Sequence, residues 1–104
     1  MGRGYRYPDS YIIIIAKFLE WRRRQYNNTS RCFTYEGIFS WIKREPMYQD
    51  IARTTMERVI RKLAEDGYLD RVRERPRALF CINTRFIEAL KRILHGVMDH
   101  EWWE

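Results

Sequence analysis

Residues 51–69 read IARTTMERVIRKLAEDGYL. Met56, Val59, Ile60 and Leu63 recur at helical spacing and define one apolar face. Thr54, followed three residues on by Glu57, has the form of a capping box. Gly67 stands where a glycine in left-handed backbone closes a helix, and Asp50 offers an earlier start. The opposite face is polar and basic: Arg53, Thr54, Thr55, Arg58, Arg61 and Lys62. A helix built this way packs on a core with one side and presents cations with the other.

Working outward, residues 68–73 and 78–83 read as two strands around a turn at Arg75 and Pro76. Phe80 and Ile82 alternate with Leu79 and Cys81, as in a strand covered on one face. Arg71, Arg73, Arg75 and Arg77 recur at every second position, so an extended chain puts them on one face. Such a row suits a phosphate backbone or a narrow minor groove. It equally suits an edge strand charged to prevent edge-to-edge pairing. Asn83 then caps a last helix with Phe86, Leu90, Ile93 and Val97 on one row, and Ile87, Leu94, Met98 and Trp102 beside it.

Upstream, Pro46 forces Glu45 out of helical backbone and ends a helix capped by Thr34, with Glu36 in its first turn and Ile38, Phe39 and Ile42 inward. Residues 31–33 are at most a very short strand, and residues 27–30 (NNTS) form a loop. The run of isoleucines at positions 12–15 fits a buried strand on composition alone, but the helix formers that follow favour a helix over residues 10–25. Asp9 or Ser10 is its N-cap. Its apolar residues cover more than one stripe, which predicts burial on two sides. Residues 1–9 are expected to be a flexible basic arm, with Arg3 and Arg6 set between Tyr5 and Tyr7.

At 104 residues one domain is expected. Apolar residues make up 45% and charged residues 33%, which excludes a disordered chain. The net charge of +6 points to a polyanionic partner, nucleic acid before lipid. The isoleucine run is too short for the roughly 20 residues of a membrane span, and no secretory signal is expected. A soluble protein of the cytoplasm is the expectation. No catalytic grouping stands out, and neither cofactor nor small-molecule ligand is evident. His95 and Asp99 lack a third ligand, so no metal site is expected. Cys32 and Cys81 lack zinc-site spacing and read as two small buried hydrophobes.

Residues 51–69 resemble the recognition-helix stretch of winged helix-turn-helix transcriptional regulators: a hydrophobe, a Ser/Thr pair, a basic helix, then acidic residues, glycine and an aromatic. The likeness is firm over 51–69 and looser over 34–83; the first and last helices match only by position and character. The longer link at residues 46–50 departs from the compact motif. The resemblance implies an α+β, mainly helical fold, a winged helix over residues 10–83 with a hairpin wing and an extra C-terminal helix. It implies a sequence-specific regulator of transcription bound to double-stranded DNA. Thr54, Thr55, Arg58 and Arg61 would face the major groove, Arg53 and Lys62 phosphates, and Arg71, Arg73, Arg75 and Arg77 the backbone or minor groove. In such folds the first short strand pairs with the last, which implies a Cys32–Cys81 disulfide. Size, aromatic terminus and richness in isoleucine, tyrosine and arginine also resemble winged-helix proteins from viruses of hyperthermophilic archaea, which would place the chain in the host cytoplasm.

Two further expectations follow. The surplus apolar surface predicts a homodimer through residues 84–104, packed on the same domain, with Ile12, Phe86, Leu90, Ile93, Val97 and Trp102 at the interface. The alternative function is a winged-helix module for protein–protein assembly whose basic face is merely solvated.

Overall fold

The computed structural model describes residues 7–94. The isoleucine run is helical: α1 spans Ser10–Tyr26. β-Branched residues cost a helix only about 0.7 kcal/mol each at most, and burial outweighs this, since Ile12, Ile14, Ile15, Phe18 and Leu19 are all in the core. The helix stops at Asn27, whose φ of 54° lies in the left-handed region that Asn tolerates better than most residues.

A short strand, β1 (Cys32–Thr34), leads into α2 (Tyr35–Ile42), and Thr34 caps it by accepting from the Gly37 amide at 3.1 Å. Next come α3 (Arg53–Glu65), the hairpin strands β2 (Leu69–Arg73) and β3 (Leu79–Ile82), and α4 (Thr84–Leu94). The antiparallel sheet has the order β1-β3-β2. The result is a mainly helical α+β fold whose core joins all four helices to one face of the sheet. Among the described residues, no helix is long and apolar enough to cross a membrane.

The register assigns the sheet's two faces. Phe33 opposes Phe80, and Leu69 opposes Ile82; all four are buried. Cys32 opposes Cys81 on the other, half-covered face, and the two are joined by a disulfide.

Gly67, at φ 89°, ends α3 in the expected way. Its amide donates to the Ala64 carbonyl at 3.1 Å and that of Tyr68 to Leu63 at 2.9 Å, the paired bonds of a Schellman motif. Asn83 ties this turn to α4. Its Oδ1 accepts from the Phe86 amide at 3.0 Å, while Nδ2 donates to the Gly67 carbonyl at 3.0 Å and to Asp70 at 3.2 Å. Asn83→Ala removes the cap and both ties, and should cost about 1–2 kcal/mol in urea unfolding. A midpoint unchanged from wild type would show that the cap is idle.

Four expectations need correction. Thr54 and Glu57 form no capping box: the N-cap is Ala52, without a side-chain bond, and Glu57 accepts instead from Arg53 at 3.0 Å. The arginine row is broken by a bulge, because Arg71 opposes Phe80 whereas Arg73 opposes the adjacent Leu79. Val72 is the extra residue, 56% exposed. Opposed residues share a face and neighbours along a strand do not, so Arg71 and Arg73 lie on opposite sides of the sheet. Tyr7 does not belong to a flexible arm, since it is half-buried against the core and its hydroxyl donates to Asp66 at 2.9 Å; residues 1–6 of that arm lie outside the described residues.

The fourth correction concerns the dimer face. Ile12, Phe86 and Leu90 are in the chain's own core, where α4 packs on α1, and Ile93 is half-buried against it. The second apolar side of α1 is covered by α4. Val97 and Trp102 lie outside the described residues.

Candidate nucleic-acid interface

Burial of Met56, Val59, Ile60 and Leu63 fixes which way α3 faces. Thr54, Arg58 and Arg61, spaced by four and three, form one exposed stripe on its outer side. Thr55 and Lys62 are half-buried beside the stripe. Arg53 is exposed but occupied: it bonds Glu57, lies 3.7 Å from a Glu36 oxygen and covers the Phe39 ring at 5.7 Å. Lys62 stands 3.2 Å from Asp66. A phosphate reaching Arg53 or Lys62 would therefore compete with a carboxylate already in place. Glu57, an awkward acid on a basic face, has its charge offset by the same pairing with Arg53.

The hairpin splits its arginines. Arg71 is on the core side, with its guanidinium over the Phe80 ring at 5.2 Å and one nitrogen 3.3 Å from Glu74. Arg73 belongs to the other side and donates from Nε to the Arg77 carbonyl at 3.1 Å. Arg75 and Arg77 are exposed in the turn around Pro76.

Tyr35 was not visible from sequence as a site residue. It is the first residue of α2, half-buried, with its ring edge-on to Phe80 at 5.1 Å. Burial raises its phenol pKa; the nearby guanidiniums of Arg61 and Arg71 oppose that rise, and Glu57 adds to it. Charges from both α3 and β2 thus act on the phenol of Tyr35, and the Arg71 side chain is hydrogen-bonded to it. The only sequence signal was an aromatic directly after the capping Thr34.

No family model matches the chain, and no curated protein or solved structure matches it. The chemistry of the surface is then the guide to what it binds. Six exposed arginines (53, 58, 61, 71, 75 and 77), two threonine hydroxyls and a phenol lie on or beside one helix and one hairpin. That set is rich in donors to phosphate and to base edges. The structure keeps Thr54 and Arg58 on the same stripe as Arg61 and puts Arg73 on the opposite side of the sheet from Arg71.

Proposed function

We propose that the chain is a winged helix-turn-helix protein that binds double-stranded DNA and regulates transcription by occupying it. The exposed stripe of Thr54, Arg58 and Arg61 on α3, which packs beside a hairpin with exposed Arg71, Arg75 and Arg77, carries this reading. The element order, and a sheet in which the hairpin's second strand lies between the other two, suit that fold and support the assignment of α3 as the recognition helix.

In this reading α3 enters the major groove by its N-terminal half. Thr54 and Arg58 reach base edges first, and an arginine there can bind guanine through two hydrogen bonds. Arg61, Arg71 and Tyr35 hold the adjoining phosphates, and Arg75 and Arg77 at the hairpin tip follow the backbone. All of these residues belong to one chain, and Ile12, Phe86 and Leu90, expected at a dimer interface, lie in that chain's own core.

Selection of bound duplexes from a random pool, followed by anisotropy titrations at two salt concentrations, tests this. Arg58→Ala should weaken the selected site by about 1–3 kcal/mol and relax preference at one base position. Arg75→Ala should weaken all duplexes alike and lower the salt slope by about one. Equal, sequence-independent losses would remove Arg58 from base reading. No duplex binding even at low salt would favour the protein-assembly alternative.

A further inference from the structure

A second basic surface lies on the other side of α2. Phe39 and Lys43 belong to the α3 side, where Arg53 and Lys43 both cover the Phe39 ring. Trp41 belongs to the α1 side, with its ring 5.7 Å from Phe18 and 6.4 Å from Trp21. There the aromatics form a continuous layer. Tyr26 meets Trp21 edge-on at 5.7 Å, and Trp41 meets Tyr48 at 5.9 Å.

Cations lie over this layer at two points. Arg44 is 5.6 Å from the Trp21 ring centre, and Lys17 is 5.7 Å from that of Tyr48. Arg23 and Arg24 add charge at the end of α1, and the one acid they share, Glu20, is buried at 2.8 Å from each. Tyr26 is 66% exposed. The Trp41 Nε1, buried in the layer, has no hydrogen-bond partner.

We propose that this face binds single-stranded nucleic acid, with phosphates on Arg44 and Lys17 and a base stacked on Tyr26. The net positive charge selects a polyanion. The exposed ring distinguishes among polyanions: an intact duplex hides its base faces, whereas a single strand offers them to aromatic side chains. Guanidinium and ammonium groups over neighbouring rings are the companions such stacking sites use. The surface is separate from the outer stripe of α3, so a chain holding duplex there has a distinct place for an unpaired strand.

The full chain is titrated with labelled oligothymidylate of about 20 nucleotides, longer than the span of a single basic-aromatic groove, and separately with duplex. Tyr26→Ala should weaken the oligothymidylate by about tenfold and leave duplex affinity within about twofold. Arg44→Ala should weaken the oligothymidylate in the same selective way, and saturating duplex should not displace it. Unchanged thermal melting of both variants shows that the fold is intact. The proposal is overturned by no oligothymidylate binding at low salt, by one-for-one displacement with duplex, by equal losses for both ligands, or by displacement with polyglutamate at matched charge. Loss of duplex binding alone would remove the preceding functional reading and leave this one standing.

Discussion

Phe86→Ala should lower the unfolding free energy by about 3–5 kcal/mol, and Leu90→Ala by about 2–5 kcal/mol. Phe86 is fully buried and Leu90 is 3% exposed, both on the side of α4 that packs against α1. Truncation there removes apolar contacts and leaves a cavity in the packed core. Domains of this size are stable by only about 5–15 kcal/mol, so the Phe86 variant should be substantially unfolded when warmed. Urea unfolding at two protein concentrations reads the result. The expected losses are independent of concentration, because the contacts lie within one chain. Losses that shrink as the protein is concentrated would instead mean that α4 meets a second copy.

The second large effect is that of the bond between Cys32 and Cys81, which are 49 residues apart. Closing a loop of that length removes enough unfolded-state entropy to stabilise the fold by about 4 kcal/mol. The double replacement Cys32→Ser with Cys81→Ser should remove that stabilisation. Each kcal/mol is worth roughly 4–8 °C in a domain of this size, so melting should fall by more than ten degrees, about 15 °C or more. Both positions are half-covered, so the serine hydroxyls retain access to water. The wild type melted with reductant should behave like the double variant. Identical melting with and without reductant would rule out the bond as a source of stability.

The parts of the fold legible in the sequence were those governed by local spacing. Met56, Val59, Ile60 and Leu63 are buried as their periodicity required, and Thr34, Asn83 and Gly67 terminate helices as their side chains or lack of one dictate. The failures came from choices made between segments. Thr54 and Glu57 had the right spacing for a cap, but Arg53 gave the Glu57 carboxylate a charged partner one turn away. Alternation put four arginines on one face until a single extra residue, Val72, turned the strand over, and nothing in the residues 70–74 marks that insertion. Two apolar sides on α1 were read as one too many for a single chain; what covers the second is α4, a packing decision that hydrophobic counts cannot make.

The candidate site divided the same way. Exposure of Arg53, Thr54, Arg58 and Arg61 followed from the face α3 buries. Which of them are held by acids did not, because Glu36 reaches Arg53 from a different helix. Tyr35 was invisible for the same reason: its neighbours, Arg61, Arg71 and Phe80, come from three separate elements.

The disulfide also has a topological meaning. The chain from Cys32 to Cys81 is a covalently closed ring, and α2, α3 and β2 all belong to it. α1 and α4 are the two tails that leave the ring at its junction. A protease cutting the exposed link between α2 and α3, around Met47 at 78% exposure, opens the ring without releasing a fragment. The elements assigned here to duplex binding would remain joined to both tails, and the nick would be seen only once the sulfurs were parted.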